Sequence, residues 1–230
     1  MSDAQMRPES PVNPIPRVVL ALFGCIVVVE MVLTMANQGL VGGAQGVGWR
    51  IYATQEFAIS PALVDRMFEH GDYSWGTVRR FVGYTFVHIN FTHALFAGAL
   101  LLALGKFISD FLHPASVFAI YVASAVAGAL AFAFALDGRM PLVGAYPPVY
   151  GFIGAYTYLT WLNLKFMGAN QLNAFRLIAV LLALQLVFAL LFGGNKDWIA
   201  DVAGFVVGFG MTTLLVPGGW AAFLARLRNR

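Results

Sequence analysis

Four ionisable side chains, Glu30, His88, His93 and Asp201, stand within long apolar runs of this sequence, and any chemistry must be sought there first. Ionisable groups are costly inside a bilayer, so each of the four calls for a role. Glu30 lies about twelve residues into the first apolar run, roughly 18 Å at 1.5 Å per residue, too deep to reach the surface. It reads as a buried polar contact, made either within the protein as a protonated acid or with a helix of a partner. His88 reads as a marker of the membrane interface. Asp201 is expected to accept hydrogen bonds from Tyr146, Tyr150 or His93.

Nucleophilic hydrolysis needs a hydroxyl with an imidazole beside it, because an unassisted serine is a weak nucleophile. No serine follows Ser124 and no histidine follows His113, so the last three apolar runs supply neither group. Thr157 and Thr160, or Thr212 and Thr213, have no base near them in sequence. Tyr146 with Asp201 makes a hydrogen-bonded pair rather than an activated nucleophile. An aspartyl mechanism needs two carboxylates sharing a water, and Asp201 has no evident second acid. Scattered histidines and a lone cysteine lack the spacing of a metal site, so neither a metal nor a cofactor is expected. Cys25 itself reads as core packing.

These residues must be positioned by membrane-spanning helices. The chain has 230 residues, 60% of them hydrophobic and 11% charged, a balance foreign to soluble domains. About 20 apolar residues cross a hydrocarbon core about 30 Å thick. Six runs qualify: Val18 to Asn37, Phe81 to Leu104, Ala115 to Leu136, Pro148 to Leu164, Ala174 to Phe192 and Trp198 to Val216. Turn or charge signals bound each one. No small-x-small cleavage site follows the first run, so it is expected to stay as a span. The whole is expected to be an all-α membrane protein.

Residues 1–16, with Pro8, Pro11, Pro14 and Pro16, read as a disordered tail, and residues 217–230 as a basic tail. Between them the membrane domain occupies 17–216. Its first loop, 39–80, mixes Trp49, Tyr52, Phe57, Leu63, Met67 and Phe68 with charges and is expected to lie amphipathically on the membrane surface. Arg7, Arg17, Lys106, Lys165, Arg176, Arg226, Arg228 and Arg230 fall on one side of this topology. Apart from the long first loop with Arg50, Arg66, Arg79 and Arg80, which narrow the contrast, the other side holds Arg139 and Lys196, so the positive-inside rule predicts that both termini are cytoplasmic. The formal net charge of +3 is spread over loops and tails, which excludes a nucleic-acid stripe. The expected location is a bacterial inner membrane, with lipids as the first partners.

Three motifs carry a family resemblance. The segment from Phe86 to His93 holds the paired histidines, with Gly105 beyond them. Gly144 to Gly151 holds a framed turn with Tyr150 and then Gly154, and Asp201, Gly204 and Gly208 repeat a spacing of one polar residue and two glycines. In this order the chain resembles the rhomboid intramembrane serine proteases over residues 17–216. The resemblance implies a rhomboid-like bundle of six transmembrane helices with a long amphipathic first loop, Gly105 closing the second span and His93 binding an oxyanion.

The same resemblance marks the departures. Tyr146 stands where the family has its nucleophilic serine, and Asp201 where it has the catalytic histidine. Ala97 replaces an asparagine, and Pro147 replaces a glycine whose amide helps form the oxyanion hole; proline has no N–H to give. His88, His93, Tyr150, Gly204 and Gly208 are the retained positions. The expectation is a pseudoprotease, not an enzyme, that binds transmembrane helices of other proteins as a client-binding protein or as a subunit of a membrane complex. Partners are expected to approach from the lipid side, because a tyrosine plugs the former cavity. Ala123, Ala127, Gly128 and Ala131 serve either to dock a helix or, equally, for internal packing. Two alternatives stand beside this: an intramembrane serine-type endopeptidase with an unusual site, and a proton or solute conduit through Glu30, His93 and Asp201.

Overall fold

The computed structural model describes residues 14–135, 141–192 and 196–228. Most of the expected N-terminal tail, the loop containing Arg139 and the last residue, Arg230, lie outside that set, as does Arg7. The described elements are helices α1 (Arg17–Asn37), α2 (Gly43–Gly46), α3 (Trp49–Phe57), α4 (Pro61–His70), α5 (Trp75–Val78), α6 (Arg80–Gly83), α7 (Phe91–Ser109), α8 (Pro114–Ala135), α9 (Tyr146–Phe166), α10 (Arg176–Phe192), α11 (Trp198–Leu215) and α12 (Gly219–Arg228). Two 3₁₀ turns, Tyr84–Phe86 and Gln171–Phe175, lead into α7 and α10.

Among the described residues, α1, α7, α8 and α11 are long and apolar enough to cross a membrane. The other two expected spans fall short for different reasons. α9 has 21 residues, but tyrosines, Trp161, Asn163 and Lys165 lower its hydropathy. α10 is strongly apolar and has 17 residues.

The second apolar run is not one helix. Val87 is extended, at φ −100° and ψ 128°, and Asn90 caps α7 by accepting from the His93 backbone N–H at 2.9 Å. An asparagine at this position satisfies an orphan N–H of the first turn, so the local chemistry overrides the apolar run. α7 also runs past Gly105 to Ser109. Gly105 does not close the helix; it makes room for α1, since a Cβ there would sit 2.8 Å from Val19 Cγ1.

The main core gathers α1, α7, α8 and α9 around Leu101, Ile120, Tyr121, Phe152 and Ile153. A second cluster puts Val64 of α4, with Phe81 and Tyr84, against Ala125, Ala129 and Phe132 of α8. The first loop is therefore partly a packed layer. Leu63 and Met67 turn inward to this cluster, while Tyr52, Phe68 and Trp75 remain exposed. Phe57 lies beneath the Arg79 guanidinium, 5.0 Å from ring centre, and Arg79 pairs with Glu56. An isolated antiparallel bridge, Ile59 N to Leu142 O at 3.1 Å and Leu142 N to Ile59 O at 2.8 Å, ties this loop to the strand of chain entering α9.

At the centre, α9 and α11 touch backbone to backbone. A Cβ on Gly204 would meet the Pro147 carbonyl, one on Gly208 the Gly151 carbonyl, and one on Gly154 the Phe205 carbonyl. Small residues drive such contact in membranes because lipid removes most of the hydrophobic gain and leaves packing to decide. Gly128 of α8 completes the seam: a Cβ there would lie 2.6 Å from Pro147 Cβ and 3.0 Å from the Ala200 carbonyl. Gly128 thus serves internal packing rather than an outer docking face. Cys25, read from sequence as core, is exposed on α1.

Candidate functional site

Because Gly128 touches Pro147 on one side and Ala200 on the other, the first turns of α9 and α11 meet over α8. This junction carries Tyr146 and Asp201. Tyr146 opens α9, with Pro147 and Pro148 in its first turn, where a missing N–H breaks no helical bond. The helix therefore begins two residues earlier than the expected span.

The Tyr146 ring stacks on His93, with centroids 5.0 Å apart and planes at 20°. His93 in turn meets His88 edge-on at 5.1 Å and 84°. Gly144, at φ +104°, threads between these rings: a Cβ would stand 2.7 Å from His93 Cε1 and 3.4 Å from His88 Cδ2. That positive φ and the absence of space both require glycine.

His88 does not face the surface of the protein. It is fully buried in the break before α7, its Nε2 accepts from the Ala145 backbone N–H at 3.3 Å, and its Nδ1 is buried without a partner. The two histidines thus hold the loop that presents Tyr146. Tyr150 is buried in the main core one turn further along α9.

Asp201 is 3% exposed, and the hydrogen bond to it comes from Gln185 of α10, Nε2 to Oδ2 at 2.7 Å. The expected donors Tyr146, Tyr150 and His93 do not fill that place. Nearby, Ser124 donates to the Gly204 carbonyl at 3.1 Å, and Thr212 to the Gly208 carbonyl at 2.7 Å. Tyr84 donates from its hydroxyl to the Ala125 carbonyl at 2.9 Å. Thr157 is buried with its hydroxyl unpartnered.

Glu30 belongs to a different place. Its carboxylate receives both Arg50 terminal nitrogens, at 2.7 and 3.0 Å, and the Thr34 hydroxyl at 2.9 Å. Arg50 also donates to the His88 carbonyl at 2.7 Å. The contact expected from a partner's helix, or from a protonated acid, is supplied by the chain's own first loop. A bidentate guanidinium matches a carboxylate fork and leaves neither charge uncompensated. A cavity of about 190 Å³ between α1 and α7 reaches this carboxylate past Ile26, Met35 and Leu95.

The sequence reading passed over Gln185 and the role of Arg50. Gln185 had a signal, as the lone amide in an otherwise apolar helix; Arg50 had none, since its partner stands twenty residues away on another element. Among the described residues no group of three or more histidine, cysteine, aspartate or glutamate side chains could hold a metal ion.

An all-helical bundle in which a glycine seam joins two central helices over a buried polar junction defines the class, a multi-pass membrane protein of rhomboid architecture. The family model for the Rhomboid domain matches residues 76–218, and the chain belongs to the rhomboid family. None of the curated proteins compared matches it.

Proposed function

We propose that this chain is a non-catalytic rhomboid, a pseudoprotease that binds transmembrane helices of other proteins, either holding clients or serving as a subunit or assembly factor of a membrane complex. The observation that carries this reading is the packed junction itself. A phenol stacked on His93 occupies the nucleophile's position, the next residue has no amide hydrogen, and the base position holds a carboxylate bound to Gln185. Acyl transfer in this fold needs an activated hydroxyl and preorganised N–H donors for the oxyanion; Tyr146 beside a carboxylate is not the first, and Pro147 removes one of the second. What remains is a rigid glycine seam with apolar helices around it, a scaffold suited to helix binding.

In this reading α9 and α10 also cross the membrane, giving six spans with both termini in the cytoplasm of a bacterial cell. Glu30, His93 and Asp201 each have their own partner, Arg50, Tyr146 and Gln185, which argues against a proton relay through them. The test is purification of the full chain in mild detergent, exposure to a fluorophosphonate probe, and mass spectrometry of co-purifying proteins. The expected result is a stoichiometric membrane companion and no labelled residue; covalent labelling at the α9–α11 junction overturns the reading.

A further inference from the structure

On the side of the first loop, α1 and α7 leave between them a cleft that no described side chain fills. Away from that loop the two helices pack closely: a Cβ on Gly105 would lie 2.8 Å from Val19 Cγ1, and one on Gly98 would lie 2.9 Å from the Phe23 ring. One turn nearer the loop the α7 wall is Ala94, buried but too short to reach across, and the cavity of about 190 Å³ opens there. Phe23 closes its deep end, and Met31, Met35, Phe91 and Leu95, all exposed, form its rim. Both helices are long and apolar enough to cross a membrane, so this rim faces hydrocarbon.

Length and chemistry select the occupant. The cleft runs along α1 from Phe23 to Met35, a rise of about 18 Å at 1.5 Å per residue, close to the roughly 15 Å of hydrocarbon in one leaflet. A helix, about 10–12 Å across, is too wide to enter it. Water gains little there, because apolar cavities stay dry. The one polar wall is already satisfied: the terminal nitrogens of Arg50 direct their four N–H groups to the two Glu30 oxygens, to Thr34 and to the His88 carbonyl. None of the four is left for a carboxylate or a phosphate. A phospholipid chain meets each condition, since it is slender, apolar and as long as the leaflet, and its headgroup stays at the surface and needs no bond from the cleft.

We propose that the α1–α7 cleft is a lipid site, in which one acyl chain of a membrane phospholipid lies against the Glu30–Arg50 pair and keeps water from it. The site stands apart from helix binding and does not depend on it. Left empty, a space of this size deprives the side chains around it of contacts. Filled by a chain, it keeps a low dielectric beside the ion pair, where the attraction between the charges is stronger. Because Arg50 also holds the His88 carbonyl, the chain supports both the docking of α3 and the segment that leads into α7.

The full chain in phosphatidylcholine nanodiscs tests the site with a phosphatidylcholine that bears a diazirine halfway along one chain, its adducts mapped by mass spectrometry. Adducts on α1 between Phe23 and Met35 are expected to exceed those on α10 by about fivefold. Ala94→Leu fills the cleft from within, Met31→Trp closes it from the exposed rim, and each is expected to remove the excess with Glu30 still in place. Equal adducts on α1 and α10 in the parent chain overturn the site, as does an excess that survives both substitutions. A larger excess from a free fatty acid bearing the same diazirine overturns the assignment to a phospholipid.

The shielding of the ion pair is read separately, by limited proteolysis in detergent. Added phosphatidylcholine is expected to slow cleavage between α2 and α4 about threefold in the parent chain and to leave Ala94→Leu unchanged. Equal slowing of the two means that lipid acts elsewhere and overturns the shielding.

Discussion

Two of the neighbours of α11 hold it by opposite means. Toward α9 it presents Gly204 and Gly208, and the absence of side chains lets backbone meet backbone. Toward α10 it presents Asp201, and a single polar contact spans the gap. The same contrast recurs where α3 is clasped to α1 by Arg50 and Glu30. The centre is joined by shape, which tolerates no added atom, and the periphery by polar pairs, which can be exchanged or broken one at a time.

The contrast breaks most directly at Gly208. Gly208→Val places a branched side chain where the Gly151 carbonyl already lies, and is expected to cost about 3 kcal/mol or more through displaced backbone. Reversible unfolding in mixed micelles measures it. A loss below about 1 kcal/mol means that the seam yields, and the distinction between centre and periphery disappears.

The peripheral clasp is expected to rank second. Glu30→Ala leaves the Arg50 guanidinium, whose side chain is 18% exposed, without its carboxylate, and partial contact with solvent reduces the cost of an orphaned charge to about 2 kcal/mol. Limited proteolysis should then cut first between α2 and α4, with α9 and α11 still protected. Simultaneous loss of both regions shows that clasp and seam are one cooperative unit.

A single hydrogen bond at the centre should matter less than either. Ser124→Ala removes the bond to the Gly204 carbonyl, so a loss of about 0.5–1 kcal/mol is expected in the same unfolding assay. A larger loss assigns the seam's strength to polar contacts after all.

The smallest effect lies outside the membrane. Asp72 accepts from the Ser74 N–H at 3.3 Å and from the Thr77 hydroxyl at 3.2 Å. The hydrogen bonds from Ser74, ahead of those from Thr77, hold its carboxyl below the usual carboxylate range. A carboxyl depressed in the folded state stabilises above its unfolded value and loses that contribution as pH falls through the folded value. Amide exchange at Thr77 and Val78 should therefore show greater loss of protection below about pH 4 in the parent chain than in Asp72→Asn.

Much of the architecture was legible because apolar length is a coarse signal that survives local error. Each of the six runs overlaps one long helix, four of which are long and apolar enough to cross a membrane, and the glycines of the third motif lie in the seam. What stayed hidden was local or long-range. Asn90 broke an apolar run through one capping bond, which length cannot reveal and which moved His88 from an expected interface to a fully buried site. The Glu30 partner came from a loop with no periodic relation to α1. Gln185 was readable in principle, since a lone amide in a hydrocarbon-facing helix must find a partner or a purpose.

Pro147 sets a direction as well as a shape. On the proposed reading, replacing Tyr146 with serine and Asp201 with histidine would supply two reacting groups yet leave residue 147 without an N–H to hydrogen-bond a developing oxyanion. Its ring also fills the notch left by Gly128, so changing it back would open a void at the meeting point of three helices. On the non-catalytic reading proposed above, hydrolysis would take at least three coordinated changes, one of which weakens the bundle before any benefit arrives.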